Sequence, residues 1–155
     1  MKKINTILLS ISLIVAISIS FGFSSYTTIV NNNNDVIMVT PDDDPADAKY
    51  PVGAKIYTTK CLACHQATGM GIPSAFPPLK ESDYLFADKK RAVEQVLNGS
   101  HEDMTVNGAV YSMPMPFQVD THEDAVAVIN YVLNAWGNDG GTVKLEEVKD
   151  IKIVR

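Results

Sequence analysis

Apolar positions recur at helical spacing in three stretches of this chain. In residues 88–98, Ala92, Val93, Val96 and Leu97 make one face, Asp88 stands at the N-cap position and Gly99 follows the last apolar residue. From Thr121, the residues Ala125, Val128, Ile129, Val132 and Trp136 repeat every three or four positions, with Asp124 three residues after the cap and Gly137 closing the pattern. A third helix is predicted from Pro51, which suits a first helical turn, through Ala54, Ile56 and Tyr57 into Cys61. Residues 142–150 are expected to form a last short helix. The stretches between are rich in proline and glycine, and no run alternates as a strand would. The reading is all-α, a few helices joined by long loops. Loops that irregular in a small unit suggest that they wrap something.

The N-terminus has a different pattern. Lys2 and Lys3 precede an apolar run, Ile4 to Phe23, without charge or proline. A positive segment before an apolar one reads as an export signal. The run also approaches the roughly 20 residues that span a bilayer. Ser18-Ile-Ser20 and Phe23-Ser-Ser25 are only fair cleavage sites, so residues 1–23 are read as a cleaved signal or a retained anchor. Either way the remainder is expected outside the cytoplasm, in the periplasm or tethered to the outer face of the inner membrane. Residues 24–50 carry the polar run Asn31 to Asn34 and the acidic Pro41-Asp-Asp-Asp-Pro45, and are expected to be a flexible linker, with a short extended piece at Ile37-Met-Val39. The folded unit is then residues 51–155.

Charge narrows the partners. The 155-residue chain has a formal net charge of −5. Loss of residues 1–23 would remove Lys2 and Lys3 and no acid, leaving −7. Such a balance argues against nucleic acid, which needs a basic face.

The two cysteines stand in one motif, Cys61-Leu62-Ala63-Cys64-His65. Cys-x-x-Cys-His reads as a covalent haem attachment site. On a helical turn, residues three apart share a face, so both thiols reach one porphyrin and His65 follows as the proximal iron ligand. A zinc site would need a second ligand pair, and His101 and His122 have no cysteine beside them. A thioredoxin-type pair would need a βαβ setting, of which the pattern gives no sign. Residues 111–117, Tyr-Ser-Met-Pro-Met-Pro-Phe, offer two sulfurs for a sixth ligand, Met113 and Met115. Prolines on both sides of Met115 would stiffen that loop. His101 lies in a polar turn after a helix and His122 follows a cap, and both are read as surface residues.

These motifs together resemble the class I c-type cytochromes, in particular small bacterial monohaem ones. The matching residues are Gly53 and Tyr57, Cys61, Cys64 and His65, Gly69-x-Gly71-Ile-Pro73, Phe76-Pro-Pro-Leu79, Val106-Asn-Gly108, Tyr111, Met115-Pro116, and Val128 through Tyr131 and Trp136 to Asn138. The resemblance covers about residues 51–148. It implies a fold of a few helices and long loops around one covalent haem c. It implies a crossing of the first and last helices near Gly53 and Tyr131, and a carbonyl of Pro73 that accepts a hydrogen bond from His65. The spacing from Tyr111 favours Met115 as the sixth ligand. The segment from Met115 to Thr121 is slightly short for the family, which keeps Met113 as the alternative. The implied job is single-electron transfer between redox protein partners, without catalysis. The alternatives are a sensor or enzyme with an open iron, and a fixed electron-entry subunit of a larger oxidoreductase.

Overall fold

The computed structural model describes residues 27–30, 36–39 and 44–154. Residues 1–23, on which the signal or anchor reading rests, lie outside the described residues. Among those described, no helix is long and apolar enough to cross a membrane. Strands β1 (Thr27–Val30) and β2 (Val36–Val39) pair antiparallel, Thr27 opposite Val39, and the extended piece expected at residues 37–39 falls in β2.

The packed unit starts earlier than residue 51. Helix α1 (Pro45–Lys49) is capped by Asp44, whose side chain accepts from the Ala46 amide at 2.8 Å, and Pro45 occupies its first turn. Ala46 is buried in the core, and the second carboxylate oxygen of Asp44 takes the backbone N–H of Trp136. The acidic stretch read as the end of a linker therefore includes a self-capping Asp-Pro start. The expected linker of residues 24–50 gives way to packed structure at Asp44.

The helix expected over residues 51–61 is helical throughout but not uniform. Helix α2 (Pro51–Ile56) opens into a π-helical turn (Tyr57–Cys61), and α3 (Leu62–His65) follows. The Leu62 amide reaches back five residues to the Tyr57 carbonyl. Thr58 and Thr59 donate their hydroxyls to the carbonyls of Ala54 and Lys55 at 2.9 and 3.0 Å, competing with the regular ladder. The widened turn ends at the first cysteine, where such bulges are often put to use.

Two helices follow the periodicity closely. Helix α4 (Asp83–Ala87), capped by Ser82, leads into α5 (Lys89–Asn98), where Asp88 accepts from the Arg91 amide at 3.0 Å. Helix α6 (His122–Val132) is capped by Thr121, which accepts from the Asp124 amide at 3.1 Å. Its pattern was read on to Trp136, but the helix stops at Val132. Asn138 donates to the Val132 carbonyl at 2.7 Å, and Trp136 (φ 56°) sits in a separate 3₁₀ turn, Ala135–Gly137. A short hairpin, β3 (Met104–Val106) and β4 (Ala109–Tyr111), was not expected. Asn107 and Gly108, both at positive φ, form its two-residue turn.

The core lies where α2 crosses α6. A side-chain carbon at Gly53 would lie 2.7 Å from Tyr131 Cβ and collide with the Ala127 carbonyl, so only glycine allows the approach. Tyr57, Val93, Leu97, Val128 and Leu133 fill the interior. The tail covers one side of it through buried Val143 and Val148, with a 3₁₀ turn, Leu145–Glu147, where a longer helix was expected. His122 was read as a surface residue. Its Nε2 instead donates to the Ile151 carbonyl at 2.9 Å, and Asn98 holds Lys152 and Val154, so both pin the tail.

Candidate functional site

The fold leaves a cavity of about 310 Å³ between the segment 60–65, the loop 76–79, the face of α5 and the loop 113–116. Cys61, Cys64, His65, Met113 and Met115 all line it. Residues widely separated in the chain thus meet at one hollow. The two cysteines are not bonded to each other. Burial, with the neighbouring Cys64 as a smaller cause, pushes the Cys61 thiol up to about 11.

His65 is buried, 7 % exposed. Burial lowers its pKa, against a smaller upward pull from its hydrogen bond. The ring is thus held neutral near pH 7. Its Nδ1 lies 2.9 Å from the Pro77 carbonyl. A carbonyl only accepts, so Nδ1 carries the proton and Nε2 keeps its lone pair. That is the tautomer a metal ligand needs, oriented by a backbone partner.

The partner differs from the one expected. Pro73 was read as the acceptor for His65, but it sits exposed in a turn closed by hydrogen bonds between Ile72 and Phe76. The loop turns back there and delivers Pro77 to the ring. Gly71 binds the His65 carbonyl through its amide at 2.9 Å, and a side-chain carbon at Gly71 would lie 2.6 Å from the Pro77 carbonyl oxygen. The signal was present in the run Phe76-Pro-Pro-Leu79, but nothing local says which proline carbonyl arrives at the histidine.

The two methionines are held differently. Met115 is half-buried, and its amide and carbonyl exchange hydrogen bonds of 2.8 Å with Ser100. Met113 is 52 % exposed. His101 is exposed and is not among the residues lining the cavity. Among the described residues, no three His, Cys, Asp or Glu side chains gather to hold a metal ion, as a zinc site would require.

Behind the motif, Tyr57, Tyr131 and Trp136 pack as three tilted rings with centroids 5.0 to 5.9 Å apart. Tyr57 donates to the Gln66 carbonyl at 2.6 Å, next to His65, and Trp136 Nε1 donates to the Ala67 carbonyl at 2.8 Å. Burial raises the pKa of both tyrosines, so they stay neutral. The cluster fixes the turn that carries His65.

Two thiols, a neutral imidazole with a free Nε2 and a thioether around one largely apolar hollow fit a covalently attached porphyrin and its iron. Comparison with known proteins agrees. The Cytochrome c family model matches residues 52–136. The chain is 37 % identical over 111 residues to cytochrome c-552 of Thermus thermophilus, covering 64 % of this chain and 83 % of that protein. It is 27 % identical over 103 residues to the cytochrome c subunit of the quinone alcohol dehydrogenase of Gluconobacter oxydans, covering 22 % of that subunit.

Proposed function

The chain belongs to the cytochrome c family, and from that premise we propose that it carries one haem c, bound through Cys61 and Cys64 with His65 and Met115 on the iron, and passes single electrons between protein partners outside the cytoplasm. The family's role is haem electron transfer, and the chain is an electron carrier rather than an enzyme. The observation that carries the finer reading is the meeting of Cys61, Cys64, His65 and Met115 at one cavity. The haem supplies the one-electron couple. The protein supplies the rest. Pro77 holds His65 in the metal-binding tautomer, and the paired bonds to Ser100 hold Met115. With His65 and Met115 both held by the chain as ligands, the iron would have no place for a substrate. Little rearrangement would then accompany a change of charge.

An absorption spectrum of the purified protein, reduced, with and without carbon monoxide, tests this. A sharp low-spin spectrum untouched by carbon monoxide is expected. A high-spin spectrum that shifts with the gas would replace the carrier reading with an open-iron sensor or enzyme.

The acidic chain suits a partner with a positive docking face. Electron transfer to such a partner is expected to slow several-fold between about 10 and 150 mM ionic strength, where the screening length falls from roughly 30 to 8 Å. A stopped-flow rate indifferent to salt would remove the electrostatic part of this reading. The likeness to the cytochrome c subunit of an alcohol dehydrogenase favours a second setting for the same chemistry, a fixed electron-entry subunit of a larger complex. Export, with residues 1–23 as cleaved signal or retained anchor, completes the proposal.

A further inference from the structure

Trp136 stands in a conformation that an L residue rarely adopts unaided. Its φ of 56° lies in the left-handed region, in a 3₁₀ turn set apart from α6. Its backbone N–H donates to a carboxylate oxygen of Asp44, and its indole Nε1 donates to the Ala67 carbonyl at 2.8 Å. The ring lies against Gly69, where a side-chain carbon would come within 2.4 Å of it. So placed, Trp136 grips the turn after the cysteine-histidine motif at residues 67 and 69. Tyr57, whose ring centroid is 5.0 Å from that of Trp136, donates to the Gln66 carbonyl beside them.

The grip reaches His65 from two sides. Residues 66–69 continue directly from the histidine. The Gly69 carbonyl also accepts from the amides of Leu79 and Lys80 at 2.7 and 3.0 Å, which fastens the loop that brings Pro77 to the ring. The first member of this chain of contacts comes from elsewhere. Asp44 is the N-cap of α1, ahead of the residues that the Cytochrome c family model matches, which begin at 52. One of its oxygens caps α1 through the Ala46 amide at 2.8 Å, and the other is taken by Trp136, 92 positions away. A cap needs one oxygen only. The second bond, from a backbone N–H to a carboxylate, is charge-assisted and of the stronger kind.

We infer that Asp44 is a positioning residue for the haem site, and that through Trp136 its carboxylate sets the orientation of His65 on the iron. This rests on the haem reading above. The start of α1 is thereby part of the support of the electron-transfer centre.

The test compares the full chain, purified with its haem, with D44S, D44A and W136F. A pyridine haemochrome spectrum first establishes covalent haem in the unaltered protein, and its absence would overturn the haem reading itself, and this inference with it. Serine keeps a cap oxygen and has no second one for Trp136, whereas alanine loses both. Proton NMR of the oxidised protein reads the orientation of the histidine plane from the spread of the haem methyl resonances. Spectra are taken well below each unfolding midpoint, so that lost stability alone leaves them in place. D44S and D44A are expected to shift these resonances alike. Hydrogen exchange at the Trp136 amide is expected to speed about tenfold in both, the loss of a bond to a charged acceptor. Methyl resonances unmoved in D44S, or moved in D44A alone, would overturn the inference, since capping of α1 would then account for the residue. Should D44S not accumulate with haem, W136F decides. It keeps the backbone bond to Asp44 but lacks the indole N–H for Ala67, and it is expected to move the same resonances; no shift overturns the route through Trp136.

Discussion

Gly53→Ala is expected to destabilise the haem-loaded protein by about 2 kcal/mol, against the sign that helix propensity gives. Gly53 lies inside α2, where alanine would ordinarily be better by about 1 kcal/mol. Here the added carbon would collide with the Ala127 carbonyl and press 2.7 Å from Tyr131 Cβ. The obstacle is backbone and the root of a side chain, so no rotamer change relieves it. Prying α2 from α6 disturbs the interface that seats Tyr57 and Tyr131, and overpacking of this kind costs about 1–3 kcal/mol or more. Denaturant unfolding of the two proteins measures it, and the thermal midpoint should fall by about 10 °C. A G53A protein as stable as its parent would mean that the helices separate freely at that point.

Met115→Ala is expected to open the iron, and Met113→Ala to leave it closed. On the proposed ligation, reduced M115A becomes high-spin and takes up one carbon monoxide per haem. Its reduction potential falls, because a thioether ligand favours the reduced state. M113A keeps the low-spin spectrum and ignores the gas. The two residues share a loop and a cavity, yet only Met115 has both backbone groups tied to Ser100, and Met113 is half in solvent. Spectra of the two variants with and without carbon monoxide read the difference. The opposite pattern would move the ligand to Met113.

The motif of the candidate site was legible because it is local. Cys61, Cys64 and His65 declare themselves by spacing alone, and the caps at Asp88 and Thr121 are read from four residues each. What was not legible depends on chain path. Pro77 takes the role assigned to Pro73 because the turn at residues 72–76 reverses the loop, which no single dipeptide announces. Trp136 keeps the helical repeat of α6 but is drawn off it by Asp44, far away in sequence, and by Ala67. The hairpin at residues 104–111 carries an Asn-Gly turn, yet three-residue strands are too short for alternation to register. Helix α1 was lost in an acidic stretch whose one buried residue, Ala46, is small.

The paired bonds between Ser100 and Met115 also close a ring in the chain. Residues 101–114, including the β3–β4 hairpin, become an excursion that leaves and returns at one fixed point. Because doubling the length of a flexible loop costs only about 0.6 kcal/mol, residues can be gained or lost in the exposed stretch 101–103 while Met115 keeps its address. Length and placement are thereby uncoupled, and descendants of this chain are free to vary the first without disturbing the second.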